Sequence, residues 1–227
     1  MKYKAIIFDL DGTLLDTLED IADSMNATLK EFGFPLHSIL NYKLFIGDGI
    51  EELVRRSFPD NQRNDNLIKQ GVQSVRLNYQ KRWYNKTKLY DGIPQMLDEI
   101  RDMGFIIAVL SNKPHDFTIK CVQKFLLKWK FDLVYGALPE YPHKPDPTLA
   151  KKITDEMKLN PNQVIYVGDT SIDMKTAKAA KMIALGVLWG FRDIHELKSN
   201  GADIIIQHPL ELIKKLKDYI DRYDLTK

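Results

Sequence analysis

Cysteine is almost missing from this chain. Its 227 residues contain one, Cys121, which excludes an internal disulfide and a cysteine-built metal site. The surrounding IKCVQKFL reads as a helix, so Cys121 is expected to be a packed or half-exposed thiol, not a nucleophile. Long apolar runs are missing too. No window approaches the length of a transmembrane helix. The first apolar stretch, AIIF, is too short for a signal peptide and is cut by Asp9, so a reducing, cytoplasmic setting is expected. Neither sign of charge dominates: 33 basic and 31 acidic residues leave a net +2. With no basic block, neither nucleic acid nor a membrane surface is the expected main partner. Internal repeats and low-complexity segments are absent.

What is present is the composition of an ordinary soluble globular protein, 44% hydrophobic and 28% charged. The length suits one sizeable domain, or a core carrying a smaller one. Short β-branched apolar runs recur at 3–8, 105–110, 131–136, 163–168, 182–189 and 202–206. Being apolar on both faces, they predict strands of a parallel sheet covered by helices. Helical patterns lie between most of them, at 93–102, 115–127, 147–157, 171–180 and 209–223. Alternation of this kind predicts an α/β fold with a doubly wound parallel sheet.

One interval breaks the alternation. Nearly a hundred residues separate the first two strands, far more than a single crossover needs. Residues 18–32 place Leu18, Ile21, Ala22, Met25, Leu29 and Phe32 on one face, with Thr17 as N-cap and Gly33 as stop. A further helix follows Asp48, and a longer one covers about 63–84. The sequence therefore predicts a core of residues 1–14 and 88–227, with 15–87 as a small all-helical cap domain inserted after the first strand. The C-terminal LIKKLKDYIDRY, with Leu212, Ile213, Leu216, Ile220 and Tyr223 in a stripe, reads as a helix docked on the core.

Ligands of open α/β sheets sit beyond the carboxyl ends of the strands. Four predicted strand ends carry notable residues. The first has Asp9, then Asp11, Gly12 and Thr13; the second has Ser111, Asn112 and Lys113. Lys144 lies in HKPDP past the third, and Asp169 and Asp173 lie in GDTSID at the fourth. Singly each has a plain explanation: Ser111, Asn112, Asp169 or Thr170 as helix caps, Asp9 as a turn residue, Lys144 as a solvated lysine. Together they surround one crevice.

Four aspartates in one crevice repel, each close pair by a few kcal/mol at an effective dielectric of about 20. They must take up protons or bind a cation. Oxygen donors without histidine or cysteine point to Mg²⁺. A substrate that approaches such a centre through an anionic oxygen fits, as a phosphate does. Asp9 can then accept a phosphoryl group as nucleophile. Asp11 can protonate the leaving alcohol and later deprotonate the attacking water. Gly12 permits a sharp turn that lets backbone N–H groups face phosphoryl oxygens.

The four clusters, DLDGT, SNK, KPDP and GDTSID, stand in the order of the motifs of the haloacid dehalogenase superfamily, which the chain resembles over nearly its whole length. The resemblance implies Asp9 as nucleophile and Asp11 as general acid/base. It implies Mg²⁺ held by the Asp9 carboxylate, the Asp11 carbonyl and the Asp169 carboxylate, with Asp173 in support. Ser111 and Lys144 would hold the phosphoryl oxygens, with Asn112 and the Gly12–Thr13 turn nearby. The true dehalogenases lack the second aspartate, so Asp11 favours phosphoryl chemistry.

DLDGTLLDTLEDIADSMNATLKEFGF, FIGDGIEELVRR and WGFRDIHELKSNGADIIIQHPLEL resemble the phosphoglycolate phosphatase branch. That implies hydrolysis of 2-phosphoglycolate to glycolate and phosphate, by a monomer or homodimer acting on a small phosphorylated metabolite. A phosphomutase, pyrophosphatase or nucleotidase of the same superfamily is the alternative, and a non-enzymatic aspartyl-phosphate switch a distant one. A cap of this kind closes over the phosphoryl site and chooses the substrate. IGDGIEELVRR could offer a flexible loop and a cationic contact from Lys43, Arg55 or Arg56; for any one residue the plainer reading, Asp48 capping a helix with solvated arginines, is preferred. His143 reads as loop, and Arg192 as a rim residue without a role.

Overall fold

The computed structural model describes the backbone from Tyr3 to Asp224 and side chains through Asp218. The chain enters on β1 (Ala5–Phe8) and, after a turn, forms β2 (Leu15–Asp16). Four helices follow: α1 (Leu18–Glu31), α2 (Ile39–Phe45), α3 (Ile50–Ser57) and α4 (Asp65–Gln80). Then β3 (Lys88–Leu89) returns the chain and pairs antiparallel with β2, Leu15 opposite Leu89 and Asp16 opposite Lys88. From there the order is α5 (Ile93–Asp102), β4 (Ile106–Pro114), α6 (His115–Phe125), β5 (Leu133–Ala137) and α7 (Thr148–Glu156). It continues with β6 (Val164–Gly168), α8 (Ser171–Ala179), β7 (Ile183–Val187), α9 (Ile194–Ser199), β8 (Ile204–Ile206) and α10 (Leu210–Asp224).

Six strands form one parallel sheet in the order β5-β4-β1-β6-β7-β8. The chain builds outward from β1 on one side, then crosses back to build on the other. The carboxyl ends of β1 and β6 therefore flank the point where the winding reverses, the place such sheets reserve for ligands. Successive side chains of β1 alternate between two buried layers, as a strand's period of two requires. Ile6 and Phe8 join Ile107, Val109, Ile165 and Leu97 on one face. Ala5 and Ile7 join Ala108, Tyr166, Ile153 and Met174 on the other. Both faces are covered, which is the doubly wound arrangement read from the sequence. Cys121 is fully buried in the first layer, and Leu212, Ile213 and Leu216 dock α10 there. Ile220 and Tyr223 of the expected stripe lie outside the described side chains.

The helical insert has its own core. Leu18, Ile21, Met25 and Leu29 of α1 pack with Tyr42, Val54, Ile68 and Val75, and Phe117 and Phe191 join from the sheet side. Asp20, buried in α1, accepts from the Lys86 N–H at 3.0 Å and from the Thr87 N–H and hydroxyl at 2.8 and 2.7 Å. It thereby ties the outgoing and returning chain together beside the β2–β3 pair.

Some local expectations change. Thr17 stands at the N-cap of α1, but its hydroxyl makes no capping bond and is buried without a partner. Gly33 does stop α1: at φ +70° its N–H meets Lys30 O, and Phe34 N–H reaches back to Leu29 O. Asp48 does not cap α3; Gly49 occupies that position, and Asp48 pairs with Arg56 at 2.6 Å. The short α2 and α9 and the two-residue β2 and β3 went unread. Among the described residues no helix is long and apolar enough to cross a membrane.

Candidate active site

β1 ends at Phe8, and Asp9 N–H still donates to Val167 O of β6 at 2.9 Å. That bond fixes Asp9 where the two strands end. The chain then turns at Gly12, φ +86°. A Cβ on Gly12 would stand 2.3 Å from Asp169 Oδ2, and one on Gly190 would stand 2.4 Å from Asp169 Cβ. Asp169 is thus seated between two backbones that only glycine lets so close. Its oxygens are held by the Thr13 hydroxyl at 2.9 Å and the Phe191 N–H at 2.8 Å. The N–H groups of Gly12 and Thr13 close the turn onto Leu15 O and Leu10 O. The hydroxyl of Thr13 therefore serves Asp169 directly.

Asp9, Asp169 and Asp173 are all buried, and each offers a carboxylate oxygen within 4.8 Å of the others. Asp173 accepts from the N–H and hydroxyl of Thr170 at 3.0 and 2.7 Å. Lys144 Nζ stands 2.7 Å from Asp173 and 3.0 Å from Asp9 Oδ1, and also donates to Leu110 O at 3.2 Å. Asp9 Oδ1 pairs with that ammonium by charge but has no formed hydrogen bond.

Asn112 stitches three segments. Its side-chain amide donates to Gly47 O in the insert at 3.1 Å and to Lys144 O at 3.0 Å, and its carbonyl accepts from Lys144 N–H at 2.9 Å. Ser111 lies beside it, its hydroxyl accepting from Lys113 N–H at 3.3 Å. Asp9, Asp11, Ser111, Asn112 and Lys113 thus line one crevice, while Asp169, Asp173 and Lys144 cluster with Asp9 beside it.

Burial raises the Asp9 carboxyl to about 7; Lys144 opposes the rise, while Asp173 and Asp11 add to it. Asp169 is held well above its ordinary value by burial, then by Asp173 and Asp9, against the pull of Phe191 N–H and Thr13. Burial would lower Lys144, but Asp173 and Asp9 outweigh it and raise the ammonium. Three crowded buried carboxyls with one ammonium between them are short of positive charge. Three close carboxylates offering oxygen donors, without histidine or cysteine, are the chemistry that suits a hard divalent cation.

The sequence singled out Lys113 at a strand end but gave it no role. Lys113 Nζ lies 2.9 and 3.0 Å from the two carboxylate oxygens of Asp11, with its side chain 4% exposed. Burial would lower it, but Asp11 together with Tyr79 and Cys121 outweighs that and raises the ammonium. The available signal was its place in SNK at a strand's end. The cations suggested in the insert go elsewhere. Arg55 pairs with Glu51 and Glu52, Arg56 pairs with Asp48, and neither they nor Lys43 line the cavity above Asp9. Arg192 is not a bare rim residue: its guanidinium donates to the carbonyls of Lys43, Leu44 and Ile46, where α2 ends.

A parallel sheet wound both ways from β1, a helical insert after the first strand, and an aspartate cluster at the β1 and β6 ends together define a class of hydrolase. The family model described as haloacid dehalogenase-like hydrolase matches residues 6–187, and the chain belongs to that family. In sequence it stands with phosphoglycolate phosphatases. It is 34% identical to that of Nitrosospira multiformis, across 93% of this chain and 96% of that one. It is 32% identical to that of Aquifex aeolicus, across 96% of this chain and 98% of that one. In fold it matches a haloacid dehalogenase-like family hydrolase of Streptococcus pneumoniae with a TM-score of 0.85 at 26% identity, across 95% of this chain and 99% of that one.

Proposed function

We propose that this hydrolase is a Mg²⁺-dependent phosphatase that cleaves 2-phosphoglycolate through an aspartyl phosphate on Asp9, with residues 15–87 as the cap domain over the site. The observation that carries the reading is the Asp9 carboxylate. It is buried at the end of β1 beside Asp169, Asp173 and the Lys144 ammonium, and lines a cavity between sheet and helices whose wall also includes Asp11. The names of the relatives supply the substrate.

Asp9 attacks phosphorus, the bond to the ester oxygen breaks, and Asp11 gives its proton to the departing glycolate oxygen. Water then attacks the aspartyl phosphate, Asp11 takes the water's proton, and the bond to Asp9 breaks to release phosphate. Lys144 and Ser111 hold phosphoryl oxygens, and Asn112 keeps Lys144 and the Gly47 loop in place. The Asp9 and Asp169 carboxylates and the Asp11 carbonyl would hold Mg²⁺, with Asp173 in support; bound there it offsets the negative charge of carboxylates and phosphate.

The test is phosphate release from 2-phosphoglycolate beside other small phosphomonoesters, nucleotides and pyrophosphate, with and without Mg²⁺. Strong Mg²⁺-dependent preference for 2-phosphoglycolate is expected. Near-normal activity in Asp9→Asn would overturn the covalent mechanism.

A further inference from the structure

The cavity above Asp9, about 80 Å³, is walled on the insert side by hydrocarbon: Ile21, Ile50, Leu53 and Val75, with Phe117 from α6. It has room for a short leaving group, a single water needing about 10–15 Å³. Hydrocarbon alone cannot recognise a charged substituent. Arg55, Arg56 and Lys144 do not line this cavity. Among the described residues, Lys113 is the cation on this wall.

An ammonium has three donors. Two of those of Lys113 meet Asp11. The ammonium also lies 4.6 Å from the centre of the Tyr79 ring. Tyr79 comes from α4, lines the same cavity and is only 7% exposed; its buried hydroxyl neighbours the Lys113 ammonium and the Cys121 thiol and has no oxygen partner. An ammonium can only donate and a thiol accepts weakly, so the hydroxyl proton lacks a strong acceptor, and a position on a cavity wall suits one from outside the chain.

We propose that Lys113 and Tyr79 form the subsite that reads a carboxylate on the leaving group, Lys113 by charge and Tyr79 by donating its hydroxyl proton. The proposal rests on the phosphatase reading above and deepens it. Asp11 is the group that reaches the ester oxygen, and Lys113 is in contact with Asp11. In 2-phosphoglycolate one methylene separates the ester oxygen from the carboxyl carbon, so that carboxylate falls within reach of Lys113. The apolar walls then reject larger or more polar leaving groups. If Lys113 served only to neutralise Asp11, charged and uncharged substrates would depend on Lys113 equally.

The test compares two non-hydrolysable phosphonates by calorimetry with Mg²⁺: 3-phosphonopropionate, which copies 2-phosphoglycolate, and propylphosphonate, which lacks the carboxylate. The wild-type protein is expected to bind the first at least about tenfold more tightly. Lys113→Met is expected to bring the two within about twofold. Tyr79→Phe, which keeps the ring, is expected to cut the preference about three- to fivefold. Equal binding of both by the wild type overturns the proposal, as does loss of the same factor for both in Lys113→Met. Should Lys113→Met not fold, Tyr79→Phe decides: an unchanged preference overturns the paired site. Phosphate release is read separately. Its absence from the wild type defeats the phosphatase reading, whereas equal phosphonate binding defeats only the carboxylate subsite.

Discussion

Arg192 donates from its guanidinium to the Ile46 carbonyl at 2.9 Å, a bond from the loop after β7 into the helical insert. With the Leu44 and Lys43 carbonyls it answers the C-terminal end of α2, where free carbonyls and the helix dipole favour a cation. Glu196 holds the guanidinium from behind at 3.2 Å. Hydrogen bonds to charged groups contribute about 1.5–3 kcal/mol each, net of the bonds to water that they replace. Arg192→Ala is expected to raise KM about three- to tenfold and to speed proteolytic cleavage within residues 43–49. Unchanged KM and cleavage would show the contact to be idle.

Gly12→Ala brings a Cβ to 2.3 Å from Asp169 Oδ2 at a backbone φ of +86° that side chains avoid. Asp169 must move. Mg²⁺ affinity and kcat/KM are each expected to fall by about 100-fold or more, read by calorimetry and phosphate release. Secondary structure should survive in circular dichroism.

Asp9→Asn is expected to abolish turnover by at least about 10³-fold, as loss of a nucleophile does. It should also change how stability responds to pH. The folded Asp9 carboxyl sits at about 7 against an ordinary 3.8, so the folded state keeps a proton that the unfolded chain releases. Its contribution to stability is complete below about pH 4 and is lost as pH rises through 7. Asp169, also raised, acts in the same direction. Relative to wild type, the metal-free variant should gain about 2–3 kcal/mol between pH 5 and pH 8, measured by urea unfolding. A gain that does not grow with pH would contradict the assignment.

Cys121 is buried, and burial pushes its thiol up to about 11. A chromogenic disulfide reagent is expected to leave the native protein unlabelled at pH 8 and to titrate one thiol after denaturation. Rapid native labelling would mean that the layer under α6 opens.

The sheet and its strand ends were legible because they are written locally. Runs apolar on both faces mark buried strands, and Asp9, Ser111 and Asp169 each follow such a run. Lys144 was legible only through its motif. The pairing of Lys113 with Asp11 was not, because it spans 102 residues and leaves no periodic trace. The same holds for Arg192 and its carbonyls, 146–149 residues away. Helices of six and seven residues, α9 and α2, are too short to display an apolar stripe. Thr17 shows the reverse failure. Its position was right for a cap, but a hydroxyl next to a helix start need not bond to it.

The β2–β3 pair and the Asp20 clasp make the insert leave and re-enter the sheet domain through a single doorway. Seen from β1 and β4, everything between Asp16 and Lys88 is one long loop whose ends already touch. Such a segment can be exchanged for another helical unit without rewinding the sheet or moving the aspartates. On the proposed reading, a chimaera joined at residues 16 and 88 is expected to keep the aspartate site while replacing much of the surface that faces it.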